Sequence, residues 1–277
     1  MKTSVETLAN PKAIHGRFRY PAILLRQMVI TDFKLRYQGS VLGYFWSLLK
    51  PMALFAILYL VFVRFLKIGS GVPNFPIYLL LGIVLWTFFV EVTSQGIVSI
   101  VDQGDLLRKL NFPRYVIVLA AAFSALINLT LNLVVIGVFM ALAHVQLRAE
   151  IVFAPLLILE LFFFSVATAF FLSALFVRFR DLSYIWELFL QAAFYATPIL
   201  YPLNAVPHTY GKWLLLNPLA QIIQDLRFSL VTDQATTIGA VFGTPWARLL
   251  PLAFSVALAI GAAAYFRRQS RYFAEDV

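Results

Sequence analysis

Three kinds of side chain in this 277-residue sequence could do chemistry inside apolar segments: carboxylates, amides and aromatic rings. Glu160 sits in the middle of LLILELFFF, and Glu91 and Glu187 lie nearer the ends of other apolar runs. Asn128 and Asn132 are four apart, so on a helix they share a face. Gln191 lies in a further run. Polar groups at such depth are costly and read in two ways. They form a proton or ion relay, or they hydrogen-bond between helices and near headgroups. Both readings stay open, above all for Glu160, whose depth leaves no easy route to water.

The rings are numerous, at 16% of the chain. Tyr44, Leu48, Met52, Phe55 and Tyr59 recur at helical spacing and fall on one face, with Trp46 close by at the boundary of the run. Trp86, Phe88 and Phe89 occupy a second run, and Phe194 and Tyr195 another. Core packing and the aromatic belt of a bilayer interface account for most rings of this kind. The functional alternative is a channel wall. A ring offers an apolar face and, in Tyr and Trp, a polar edge. That combination suits sugars, and it holds a sliding chain without fixed charge pairs.

Other chemistry is missing from the sequence. Phosphate-cradling loops need G-x-x-x-x-G-K-[ST], and the sole Gly-Lys pair, Gly211–Lys212, is followed by Trp213. Neither H-E-x-x-H nor G-x-S-x-G occurs. His15, His144 and His208 lie in three separate segments, which disfavours a histidine metal site. With no cysteine, disulfides, thiolate ligands and cysteine nucleophiles are excluded. The expectation is a chain that binds no cofactor and no metal of its own and is not an enzyme.

The elements that must position these residues are membrane helices. The chain is 61% hydrophobic and 13% charged, against about 45–50% and about 25% in soluble domains. The runs are continuously apolar rather than alternating, which favours helices over barrel strands. Six spans are expected, at 40–63, 76–100, 115–143, 152–177, 184–200 and 247–266, with a kink at Lys50–Pro51. With the N-terminus inside, cytoplasmic segments hold fifteen lysines and arginines and outer segments six, Arg227 among the latter. The positive-inside rule then places both termini in the cytoplasm. A net charge of +9 reads as attraction to anionic lipid rather than to nucleic acid. No cleavable signal sequence is expected.

Residues 21–38 read as a helix lying on the interface, with Leu25, Val29, Phe33 and Tyr37 on one face and Gln27, Thr31, Lys34 and Gln38 on another. Gly39 and Gly43 form a G-x-x-x-G, serving either close helix contact or the turn into the bilayer. Pro198, Pro202, Pro207 and Pro218 break the apolar stretch between spans five and six. It reads as short re-entrant helices, or as a loop resting on the membrane. The whole is one membrane domain over 1–277: tail and interface helix at 1–38, a six-span bundle at 40–266, and a tail at 267–277.

Five stretches then carry a family likeness: DFKLRYQGSVLGYFWSLLKP at 32–51, DLLRKLNFPR at 105–114, VRFRDL at 177–182, FYATPILYPLNAVP at 194–207 and WLLLNPLAQII at 213–223. Their order resembles the membrane subunit, or permease, of ATP-binding-cassette exporters of O-antigen, capsular polysaccharide or teichoic acid. The resemblance implies a homodimer in the bacterial inner or plasma membrane, with two separate ATPase subunits that hold ATP and Mg2+. It implies a lipid-linked polysaccharide as cargo and a path along Tyr44, Trp46, Phe55, Tyr59, Trp86, Phe194 and Tyr195. Coupling to the ATPase would fall to 102–113, through Asp105, Leu106, Arg108, Lys109 and Phe112, with Arg180 and Asp181 at a second contact. Pro198, Tyr201, Pro202, Pro207, Trp213 and Pro218 would belong to an outer gate. Two rival readings stand beside it. One is a drug or lipid exporter on the same frame. The other is an ion-coupled carrier using Glu160 or Glu91.

Overall fold

A computed structural model describes residues 19–37, 43–67, 71–104, 112–270 and 273, and all regular structure among them is helical. Helix α1, Arg19–Tyr37, starts with Pro21 in its first turn, where a missing N–H costs nothing. Its apolar stripe holds as expected for the described side chains. Leu24, Leu25, Met28 and Val29 join the main core, while Arg26, Gln27, Thr31 and Lys34 are exposed. The stripe does not face lipid alone: it packs on α4, Tyr115–Leu142.

Helix α2, Trp46–Leu58, runs through Pro51 and continues as a π-helical stretch, Tyr59–Phe65. The helical backbone is continuous at Lys50–Pro51, where the kink was expected, and a neighbour meets the carbonyl that Pro51 leaves free. Pro51 has no N–H for the carbonyl of Ser47, and Asn132 Nδ2 from α4 donates to that oxygen at 3.3 Å instead. The three central helices are α3, Phe75–Asp102, α4, and α5, Ala154–Phe176. Helix α3 is the most enclosed of the long helices. It meets α5 where a Cβ added to Gly96 would lie 2.6 Å from Ala169 Cβ. Small residues permit such close approach in lipid, where packing rather than water drives association. Thr87, Thr93, Ser165 and Thr168 return their hydroxyls to carbonyls of their own helices, so these polar groups need no outside partner. The last long helix, α10, Leu249–Gln269, packs on α5.

Among the described residues, five helical segments are long and apolar enough to cross a bilayer: Trp46–Phe65, Phe75–Asp102, Tyr115–Leu142, Ala149–Phe176 and Pro245–Gln269. The expected span 184–200 is not among them. Helix α6, Leu182–Ala196, has 15 residues, or roughly 22 Å at 1.5 Å each, short of the ~30 Å hydrocarbon core. Pro198 explains the stop. It disfavours helical backbone in the residue before it, and Thr197 is extended at φ −85° and ψ 138°.

The stretch after α6 is built into the protein rather than resting outside it. Beyond a turn at Leu203–Ala205 come α7, His208–Leu215, α8, Pro218–Leu230, and α9, Ile238–Phe242. Asn217 caps α8, its Oδ1 accepting from the N–H of Leu219 at 3.1 Å, and Pro218 occupies the first turn. Residues 218–227 of α8 are all buried, packed against α3, α5 and α10. Leu203, Leu215, Ile238 and Ala247 form a small core of their own that ties the short helices together.

Candidate substrate path

Helix α6 sets one wall of a cavity of about 750 Å³, which α3 and Leu54 of α2 complete. Its lining residues Ser183, Trp186, Glu187, Leu190, Gln191, Phe194 and Tyr195 recur every three or four positions, so one helical face forms the wall. Trp86 of α3 faces them, its ring centre 5.7 Å from that of Phe194. Phe194 in turn meets Tyr195 edge-on at 5.4 Å. Trp186 stacks on Phe189 at 5.0 Å and donates its indole N–H to Thr93 Oγ1 at 3.1 Å. Ring faces alternate with the hydroxyls of Ser94 and Ser183 and the amide of Gln191, and Glu187 is the sole charge among the lining residues.

Three of the residues expected on the path, Trp86, Phe194 and Tyr195, are therefore brought together. The others are not. Phe55 of α2 and Tyr59 of the π-helical stretch contact each other at 5.8 Å, with Phe55 turned into the core. Trp46 lines a separate cavity of about 630 Å³ between α2, α3 and α4. The side chain of Tyr44 lies outside the described residues. Trp186 was missed, although its spacing of eight from Phe194 already places both on one helical face.

The end of the wall is pinned by an unexpected residue. Arg227, counted among loop cations by charge alone, is wholly buried on α8. Its Nε donates to the carbonyl of Tyr78 at 3.0 Å, Nη1 to that of Pro198 at 2.6 Å, and Nη2 to that of Ile199 at 2.8 Å. Its guanidinium carbon lies 3.7 Å from the centre of the Tyr78 ring. A Cβ on Gly82 would come within 2.2 Å of Nη2, so the glycine makes room for it. Thus the carbonyls of the non-helical Pro198 and Ile199, just past the end of α6, are tied to α3 by one planar, five-donor group. Tyr201 adds to this, its hydroxyl 3.3 Å from the carbonyls of Tyr195 and Ala196.

The remaining expected site residues are dispersed. Pro202 and Pro218 are buried at the starts of their helical turns, Pro207 precedes α7, and Trp213 is exposed. Asp105, Leu106, Arg108 and Lys109 lie outside the described residues. Phe112 is buried in the core, and Arg180 and Asp181 are exposed at the turn between α5 and α6. Arg180 lies 5.6 Å from the Phe176 ring, and the carbonyl of Asp181 accepts the first helical bonds of α6.

The polar residues of the spans fall into two groups. Glu91 Oε1 accepts from Asn128 Nδ2 at 2.7 Å and from Gln95 Nε2 at 3.3 Å. Glu160 lies within electrostatic reach of Asp225 and Arg248, which pair at 3.1 Å. Burial pushes the Asp225 carboxyl above its ordinary range, against the opposing pull of Gln221 and Arg248. Among the described residues no three histidines, cysteines or carboxylates stand together as metal ligands.

Known proteins match this sequence across most of its length. The chain is 31% identical over 218 residues to the O-antigen export system permease protein RfbA of Myxococcus xanthus, covering 76% of this chain and 81% of that protein. A Klebsiella pneumoniae protein of the same name is 30% identical over 203 residues, covering 72% and 78%. The polysialic acid transport protein KpsM of Escherichia coli is 23% identical over 217 residues, covering 75% and 81%. The family model described as ABC-2 type transporter matches residues 23–231, from α1 to the end of α8, and so takes in the ring wall and the Arg227 knot. With that match over most of its length, the chain belongs to the ABC-2 type transporter membrane family.

Proposed function

We propose that this chain is the membrane subunit of an ATP-driven exporter that carries a lipid-linked cell-surface polysaccharide out across the bacterial inner membrane. The ring wall on α3 and α6 carries the reading. Rings with hydroxyls and an amide between them suit a polymer of sugars, whose units present apolar C–H faces and polar edges. A single carboxylate keeps the wall from gripping any one unit. The names of the relatives, which speak of O-antigen and polysialic acid, support the same cargo class.

The wall is one side of a path, and a second copy related by a two-fold axis supplies the other. Two ATPase subunits drive the cycle, holding the ATP and Mg2+ that this chain does not. Residues 102–113 and the Arg180–Asp181 turn receive their motion on the cytoplasmic side, where both termini also lie. The short helices α7, α8 and α9 enter the outer leaflet and return, forming a gate beside the end of α6.

The test is affinity purification of the tagged protein in mild detergent, with mass spectrometry of what accompanies it. A P-loop ATPase at a one-to-one ratio is the expected result. Reproducible recovery of the intact chain without such a subunit would remove the ATP-driven reading and turn attention to Glu160 in an ion-coupled carrier.

A further inference from the structure

Helix α6 carries its wall residues in two rows. Ser183, Glu187, Gln191 and Tyr195 follow one another at steps of four, and so do Trp186, Leu190 and Phe194. The second row supplies apolar faces. The first supplies a hydroxyl, a carboxylate, an amide and a phenol. Opposite them, α3 adds Trp86 and the hydroxyls of Thr87 and Ser94. Every polar group on this lining except Glu187 is neutral.

Glu187 is exposed on the wall, and among the described residues no cation pairs with it. Among those residues no lysine, arginine or histidine lines the cavity. Lys50 lies one turn before Leu54 on α2 but belongs to the lining of the other cavity, between α2, α3 and α4. Arg178 and Arg180, just before α6, rest on the rings of Phe179 and Phe176. In the dimer proposed above, the facing wall repeats the same residues, a second carboxylate included.

This lining treats sugars unequally. Its hydroxyls and amide bond to the hydroxyls of any unit. Its carboxylate accepts from hydroxyls but repels carboxylate, sulfate and phosphate groups. A unit stacked beside Glu187 is closer than the Debye length of ~8 Å in physiological salt, so dissolved ions do not hide the charge. A polymer with an acidic group on each unit meets that repulsion at every step and finds no cation on the wall to offset it. A neutral polymer meets none. Repulsion of the wrong partner gives specificity even where attraction to the right one is weak.

We propose that Glu187 sets the cargo class of the wall: a polymer whose repeating units carry no acidic group. The proposal rests on the export reading above and narrows it.

The experiment uses the full chain in nanodiscs of zwitterionic phosphatidylcholine, so that lipid charge does not bias the result. Trp46, Trp213 and Trp246 are changed to Phe, which leaves Trp86 and Trp186 of the wall as the only tryptophans. Their quenching is titrated with a neutral manno-oligosaccharide and with an oligogalacturonate of equal length. At low salt the neutral ligand is expected to bind about tenfold more tightly, a factor worth ~1.4 kcal/mol. The gap should narrow as salt is raised, close in Glu187→Gln and reverse in Glu187→Lys. Equal or tighter binding of the acidic ligand to the Glu187 chain, or a gap that survives Glu187→Gln, overturns the selection and leaves the wall a sugar path. Quenching by neither ligand overturns the wall itself as a sugar path, and the selection with it.

Discussion

At the scale of single residues, Trp186 and Arg227 bear the most weight, and each makes a separate prediction. Trp186→Ala removes one stacked ring and the donor to Thr93. A loss of about 1 kcal/mol of ring interaction slows passage several-fold, read as surface polymer per unit of permease. Trp186→Phe keeps a ring and is expected to restore most of the flux; equal defects in both would assign Trp186 to packing. Arg227 acts differently, because its donors face backbone. Arg227→Met strips the partners from the Pro198 and Ile199 carbonyls, at about 1–3 kcal/mol for each orphan, and the second donor from the Tyr78 carbonyl, which stays in the helical ladder of α3. It should lower the melting temperature in detergent and raise protease sensitivity near Ile199. Gly82→Ala, which intrudes on the same guanidinium, should do likewise. Normal stability in both variants would contradict the knot.

At the scale of elements, the question is how a broken backbone is tolerated at membrane depth. Each break is met by a side chain from another helix: Asn132 for Pro51, and Arg227 for Pro198 and Ile199. A double-mutant cycle tests the first. Pro51→Ala returns an N–H to the Ser47 carbonyl, so Asn132→Leu should cost less in that background than in the native chain, with a coupling of about 1 kcal/mol. Additive effects on thermal stability would mean that Asn132 does not serve that carbonyl. This also shows what could be read in the sequence. The runs behind α3, α4, α5 and α10 are unbroken, so their spans were legible to within a few residues. The shared face of Asn128 and Asn132 was visible too, but not its partners Glu91 and Ser47, which only tertiary packing supplies. The fifth expected span, 184–200, did not appear at full length because apolarity alone carried that reading past Pro198. Arg227 was taken for a loop cation because charge counting has no knowledge of burial. The ring wall was half legible, at Phe194 and Tyr195, and the same spacing followed backwards along α6 reaches Trp186.

At the scale of the whole molecule, the account joins a cytoplasmic drive to an outer exit through a path between two copies. The drive has its own prediction. Reversing charge at Arg108 and Lys109 should uncouple ATP hydrolysis from export while leaving membrane insertion intact, measured as ATPase rate against surface polymer in one preparation. Unchanged export would remove the coupling role from 102–113. The most direct measurement of the central claim locates the polymer itself in a strain lacking this chain. The account predicts that polysaccharide synthesis continues, that polymer collects in the cytoplasm, and that the native chain restores it to the surface. Undiminished surface polysaccharide in the deletion strain, with no internal pool, would contradict the account.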